Sequence, residues 1–329
     1  MKEALYYEKL EKNKIKCYLC PYECRVKEGE IARCMGRQNI GGSFYATNYG
    51  ETTSCAMDPI EKKPLFHFYP TSQILSIAAN SCNLKCIFCQ NWSISQTKAA
   101  TTKITPQGVV DLAHKYHSIG VAYTYSEPLM WYEFVYDTAK HMSEHGLKNV
   151  LVTNGTINEK PFKALLPYID ALNIDLKGIE SRFYKKVCKG LLKPVLKTIQ
   201  LAHEMGRAII EITNLIIPTL NDSDEDIEGL VNWIADLDKN IPLHISAYHP
   251  SYKLNIPATP LSTLQKAYNK AKEKLNYVYV GNAVINGASN TYCPNCNKVL
   301  ITRNWYETKI NHLNALKCPF CNTPIYLKI

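Results

Sequence analysis

The stretch SCNLKCIFCQNW, from Ser81 to Trp92, carries Cys82, Cys86 and Cys89 at a CxxxCxxC spacing. Three thiolates suit a structural zinc badly, because such a site takes four protein ligands and closes on itself. A 4Fe-4S cube suits them better: three irons are held by sulfur from the chain, and the fourth keeps an exchangeable position where a substrate or cofactor chelates. A plain electron-transfer cluster and a zinc site completed by a distant ligand are the competing readings.

Most of the 13 cysteines fall in two further sets. CPNC (Cys293, Cys296) and CPFC (Cys318, Cys321) are separated by 21 residues with β-rich composition and read as the two knuckles of a zinc ribbon. Four thiolates close a tetrahedral site there, and the metal supplies folding energy that so short a segment lacks. Cys17, Cys20, Cys24 and Cys34 have gaps of two, three and nine residues and read as one four-thiolate site, for zinc or an auxiliary iron-sulfur cluster. Cys55 and Cys188 stand alone and are expected to be small buried hydrophobes. Clustered thiols are characteristic of metal ligation in a reducing compartment. The charged opening MKEALYYEKLEKNKIK and the lack of any apolar run of about 18 residues predict a cytoplasmic protein with no membrane partner.

The elements that must position the three-cysteine loop begin at Ile74. Short β-rich runs alternate with amphipathic stretches, the signature of a parallel sheet. The expected strands are ILSIAAN (from Ile74), VAYTYS (Val121), NVLVTN (Asn149), ALNIDL (Ala171), AIIEITNLII (Ala208) and PLHISAY (Pro242), with a possible seventh in YVYVGNA (Tyr277). Their near-continuous apolar character is that of strands buried on both faces. Thr105 and Pro106 suit a helix start and Gly120 its stop, while NDSDEDIEGLVNWIADL opens a helix with acidic residues in its first turn. The alternation predicts an α/β fold, a partial (β/α)6 TIM-like barrel over residues 73–284. An N-terminal Cys-rich segment, 1–72, and a C-terminal zinc-ribbon-like segment, 285–329, flank it. The cysteine loop leaves the first strand at its carboxyl end, where such folds place chemistry.

IAANSCNLKCIFCQNW resembles the defining loop of radical S-adenosylmethionine (SAM) enzymes, including the aromatic Phe88 before the last cysteine. The resemblance implies a 4Fe-4S cluster on Cys82, Cys86 and Cys89 that binds SAM at its open iron and cleaves it reductively to a 5′-deoxyadenosyl radical. It extends to the activating-enzyme branch that includes pyruvate formate-lyase activating enzyme. Where that branch has Gly-Gly-Glu-Pro for the methionyl amino group, this chain has Tyr125-Ser126-Glu127-Pro128, keeping the glutamate and proline but neither glycine. Thr153-Asn154-Gly155 matches a third-strand motif, with Val152 in place of its preceding aspartate. NIDLKG places Asp175 and Lys177 on one face with Leu176 turned away, and AYHP offers His249. The resemblance thus implies cofactor contacts by Phe88, Ser126, Glu127, Asn154, Asp175, Lys177 and His249. His67, in PLFHFYP, is expected to pack.

Over nearly the whole chain, IEKKPLFHF (from Ile60), CQNWSIS, TNG, NIDLKG, NLIIPTLND (from Asn214) and the flanking cysteine motifs are similar to the radical enzymes of the AmmeMemoRadiSam system. That resemblance implies companion protein partners and a reductant such as ferredoxin or flavodoxin. The other class of function, a zinc-bearing nucleic-acid-binding protein, draws on the ribbon, a net charge of +9 and 22 tyrosines. It leaves the three-cysteine loop unexplained, and the lysines form no ordered stripe. Nucleic acid is therefore not expected as a partner.

Overall fold

A computed structural model describes residues 1–329. One eight-stranded sheet organises it: β1 (Ser54–Pro59), β2 (Gln73–Ala78), β3 (Gly120–Tyr123), β4 (Lys148–Thr153), β5 (Ala171–Asp175), β6 (Ile209–Ile216), β7 (Leu243–Ala247) and β8 (Val278–Gly281), neighbours in chain order. From β2 to β8 every pairing is parallel, while β1 runs antiparallel to β2. The two edge strands do not pair with each other, so the barrel is partial. All seven expected strands are present. The added one, β1, lies in the segment 1–72, so the expected division at residue 72 separates two hydrogen-bonded neighbours. Cys55 sits on this edge strand and is exposed, against the expectation of burial: an edge is covered from one side only.

The crossover helices are α1 (Pro106–Lys115), α2 (Tyr132–Glu144), α3 (Glu159–Leu165), α4 (Leu192–Met205), α5 (Asp224–Asp238) and α6 (Leu261–Lys272). At α1 the Thr105 hydroxyl accepts from the Gly108 amide at 3.0 Å, with Pro106 at the first helical position. Ser223 caps α5 in the same way ahead of Asp224, Glu225 and Asp226. The expected stop at Gly120 is corrected: α1 ends at Lys115, and Gly120 begins β3. A Cβ at Gly120 would stand 1.9 Å from the Lys148 carbonyl oxygen of β4, which no other residue tolerates. The helices bury their apolar stripes on the sheet in one main core that extends from Ala4 in the N-terminal segment to Ala288 after β8. No helix is long and apolar enough to cross a membrane.

The C-terminal segment is a three-stranded antiparallel sheet, β9 (Thr291–Tyr292), β10 (Val299–Asn304) and β11 (Glu307–Ile310), with its own small core. The Phe66-His67-Phe68 run latches it to the barrel. Arg303 donates to the Phe66 carbonyl at 2.8 Å, the Lys328 amide to the His67 carbonyl at 2.9 Å, and the His67 ring meets the Tyr279 hydroxyl at 2.5 Å. Glu211 of β6 accepts the Phe66 and His67 amides at 3.0 and 2.7 Å and stands 2.6 Å from His244. His67 is therefore a packing residue, as expected.

Candidate active site

A cavity of about 260 Å³ opens where β2–β7 end, lined by Cys82, Cys86, Phe88, Cys89, Ser126, Glu127, Asn154, Asp175 and Lys177. Every one of these was expected from sequence. Their strands are parallel, so the residue following each carboxyl end points to the same mouth.

The cysteine loop is held from three sides. From behind, the Lys85 amide donates to the Cys188 carbonyl at 2.9 Å and the Ile87 amide to that of Val187 at 3.1 Å. From above, the segment after β7 gives the Ser251 hydroxyl to the Cys89 carbonyl at 3.3 Å and the Lys253 amide to the Ile87 carbonyl at 2.9 Å. From the N-terminal segment, the Cys34 carbonyl accepts the Cys82 amide at 3.2 Å. Burial pushes the Cys82 and Cys89 thiols up, so a bound metal is what would hold them as thiolates. Cys188 is fully buried behind Cys86 and is not part of the cavity lining, as expected of an unligated cysteine.

Glu127 is buried, and its carboxylate accepts from the Thr153 hydroxyl (2.6 Å), the Asn154 amide (2.7 Å) and the Leu129 amide (3.0 Å). It thereby ties the end of β3 to the end of β4. Burial pushes it up to about 7 despite these donors, which marks a carboxylate that a cation in the cavity would stabilise. Asn154 donates to Cys82 Sγ at 3.6 Å and to Asn83 Oδ1 at 3.1 Å. Lys177 Nζ pairs with Asp175 at 2.8 Å and lies 5.9 Å from the Phe88 ring. Burial alone would lower that ammonium, but Asp175 and Cys86 beside it raise it well above its ordinary value. Leu176, between them, is fully buried in the core.

The missing glycines have a structural replacement. Tyr125 adopts φ +67°, a left-handed conformation that costs most residues about 1–2 kcal/mol. Its hydroxyl donates to Asp58 at 2.5 Å, its ring lies 4.4 Å from the Lys63 ammonium, and its carbonyl accepts from Asn91 at 2.8 Å. These contacts use the IEKKP run, whose Lys62 and Lys63 both pair with Asp58 at 2.7 Å.

His249 is a correction: it is exposed, touches only the Asn282 carbonyl at 3.5 Å and does not line the cavity. The chain after β7 does reach the site, through Ser251 and Lys253, and the turn that brings them there leaves His249 outside. Sequence reading missed Asn91, Gln96, Tyr125, Thr213, Ser246 and Asn282 in the lining. Ser246 had a signal, since it falls at the carboxyl end of β7, and Thr213 lies in the carboxyl half of β6. The other polar residues come from loops with no local pattern.

Of the flanking sets, the C-terminal one converges most tightly: Cys293, Cys296, Cys318 and Cys321 have all four sulfurs within 4.8 Å of one another. Cys17, Cys20 and Cys34 are buried and Cys24 is half-buried, against the loop that carries Cys82.

Fold and site define an enzyme that works at the carboxyl mouth of a partial barrel, with a three-thiolate loop on its first parallel strand. Residues 76–234 match the model of the radical SAM superfamily. The chain belongs to that superfamily and is a radical SAM enzyme. It is similar to an uncharacterized protein of Methanocaldococcus jannaschii, 47% identical over 333 residues and covering 99% of both chains. In the activating-enzyme branch, the pyruvate formate-lyase-activating enzyme of Clostridium pasteurianum is 26% identical over 173 residues, 51% of this chain and 72% of its own. Among solved structures, a radical SAM methyltransferase from Sphaerobacter thermophilus shares the fold with a TM-score of 0.53 and 14% identity, over 70% of this chain and 71% of its own.

Proposed function

We propose that the protein cleaves SAM reductively and uses the product radical to take a hydrogen atom from a protein or small-molecule substrate. The observation that carries this reading is the composition of one cavity wall: three thiols from a single loop face Glu127, Asp175 and Lys177 across about 260 Å³. The donor set fits a cube with one open corner, because Cys82, Cys86 and Cys89 supply three sulfurs and no other cysteine lines the cavity. When bound, the cluster supplies the electron that splits the sulfonium bond of SAM, giving methionine and a 5′-deoxyadenosyl radical.

Each chain residue then has a binding or orienting task. Glu127 offers its carboxylate to the methionyl ammonium, a charge-assisted contact that stabilises its ionised form. Lys177 is the cation available to the methionyl carboxylate, with Asp175 fixing its position and accepting from a ribose hydroxyl. Phe88 and the buried loop backbone exclude water from the reacting atoms. The Cys293, Cys296, Cys318 and Cys321 set holds zinc in this reading: four thiolates about 2.3 Å from one ion stand about 3.8 Å apart, close to the 3.5 and 3.6 Å observed. The partners are companion proteins and a one-electron donor of the ferredoxin or flavodoxin type, and the compartment is the cytoplasm.

The test is anaerobic reconstitution followed by dithionite and SAM, with 5′-deoxyadenosine and methionine measured by chromatography. Both products are expected in equal amounts. A protein with its cluster intact that forms neither overturns the reading.

A further inference from the structure

An electron that reaches the three-cysteine loop from outside needs a way in that leaves the cavity mouth to SAM and substrate. The turn Tyr184–Cys188 and Lys189 after it lie behind the loop, and Val187, Cys188 and Lys189 line no part of the cavity. Nothing separates this turn from the loop. Its Cys188 and Val187 carbonyls accept the Lys85 and Ile87 amides at 2.9 and 3.1 Å, and the Cys188 carbonyl stands 3.9 Å from Cys86 Sγ. A Cβ at Gly190 would meet the Leu84 side chain at 2.5 Å. Exposed Arg33 spans the joint, donating from Nε to the Asn83 carbonyl at 3.0 Å and from a terminal nitrogen to the Lys189 carbonyl at 2.8 Å. Lys189 is itself exposed, so one residue, Cys188, lies between a surface lysine and a cysteine of the site.

The same stretch is strongly basic. From Arg182 to Lys197 the chain carries six cations and no acid. The fold sets three of them, Lys185, Lys193 and Lys197, around a groove of about 570 Å³ whose lining includes Pro21, Gly190 and Leu191. All three lysines are exposed, and so is Leu191 at 46%. Glu159, the acid in that lining, is ion-paired with Lys163, so it leaves the lysines uncompensated. An exposed leucine framed by free cations has the anatomy of a docking surface, apolar at its centre and charged at its rim. Electron-transfer encounters bury little area, below about 1,200 Å², and draw on charge for speed more than for affinity. A shallow basic groove is enough.

We propose that the groove between Lys185, Lys193 and Lys197 is the docking surface of an acidic one-electron carrier protein, whose electron enters the Cys82, Cys86 and Cys89 centre through the Cys188 turn. The proposal rests on the SAM-cleaving reading for the centre that it feeds. One electron passes from the reduced carrier to the oxidised centre, so the carrier is oxidised by one and the centre reduced by one. No bond or proton moves at the interface. The lysines act before the transfer: their field steers a negative partner and raises its encounter rate by about 10- to 1,000-fold. Because the groove lies off the cavity, the carrier and SAM can be bound together.

The test mixes the full-length reconstituted protein with flavodoxin hydroquinone, an acidic carrier, in an anaerobic stopped-flow cell and reads reoxidation of the flavin. The wild-type second-order rate is expected to fall steeply as ionic strength rises from about 0.01 to about 0.15 M. Lys185→Glu/Lys193→Glu/Lys197→Glu is expected to lose at least about tenfold at low salt, together with most of the salt dependence. Photoreduced deazariboflavin, a small neutral donor that needs no docking, is expected to reduce the centre equally fast in both proteins. A wild-type rate indifferent to salt overturns the proposal, and so does a triple variant that keeps the wild-type flavodoxin rate. The latter, joined to lost binding of an RNA oligonucleotide, would give the groove to nucleic acid instead. Should the variant lose its cluster, Lys185→Ala/Lys193→Ala/Lys197→Ala decides by the same measure. SAM cleavage is assayed apart, on protein reduced with deazariboflavin. No 5′-deoxyadenosine there, with flavodoxin still oxidised at a charge-dependent rate, sinks the SAM reading and leaves the docking surface standing.

Discussion

The Lys177 ammonium stands 2.8 Å from the Asp175 carboxylate on the cavity wall, the two alternating with a core leucine at the end of β5. Lys177 is thereby fixed without being neutralised by a second partner, and its two free N–H groups are available to an anionic ligand. Lys177→Met is expected to raise the KM for SAM about 10- to 100-fold, the loss of one hydrogen bond to a charged group. The measurement is initial-rate 5′-deoxyadenosine formation against SAM concentration, with the melting temperature as a control for folding. An unchanged KM would remove Lys177 from the cofactor site.

Cys86 and Cys293 sit in cysteine sets to which the proposed function gives different tasks. Cys86→Ala is expected to abolish SAM cleavage while the thermal midpoint moves little, since the barrel core is intact around it. Cys293→Ala breaks the compact quartet of the C-terminal segment, so it is expected to lower the stability of that segment and any metal it holds. Cleavage should persist at a rate within about tenfold of wild type. Metal analysis, calorimetry and product assays on both variants check the division. Equal loss of cleavage in two folded variants would contradict it.

Asp58, Lys62, Lys63 and Tyr125 form one network that supports a left-handed backbone at the site. Asp58 and Lys63 are buried; Asp58 also pairs with Lys62, so it is removal of Asp58 that leaves a buried charge, Lys63, without a carboxylate. Asp58→Asn is expected to destabilise the protein by about 3 kcal/mol. Lys63→Met in the same chain is expected to recover a large part of that, because the buried ammonium is then gone. Denaturant unfolding of the two single variants and the double variant measures the coupling.

Burial pushes the His67 imidazole down to about 4, against the opposing pull of Glu211. Its ordinary value is about 6.5, so between these limits the unfolded chain binds a proton that the folded one refuses. Stability from this group is present above pH about 6.5 and is lost as pH falls toward about 4, at up to about 1.4 kcal/mol per pH unit. His67→Asn, which puts a polar group that does not titrate at the latch, is expected to flatten the slope between pH 5 and 6.5, read as the difference in unfolding free energy from wild type. A parallel pair of curves would show that His67 does not titrate in this window.

The sequence by itself determined the ligand sets and their order along the chain. Cys82, Cys86 and Cys89 are fixed by a spacing of a few residues, and a buried parallel strand announces itself as an apolar run wherever it falls. Glu127, Asn154, Asp175 and Lys177 were legible through the resemblance to radical SAM enzymes, and they meet because parallel strands deliver their carboxyl ends to one mouth. Only the tertiary structure decided what depends on residues far apart. It placed His249 outside the cavity and set Ser251 against the backbone of the cysteine loop, exposed Cys55 on an edge strand, and joined Arg303 to Phe66 across 237 positions. It also brought the four C-terminal sulfurs within 4.8 Å of one another. Spacing along a chain states which thiols can share a metal. How far apart they stand is decided by the packing of the elements that carry them.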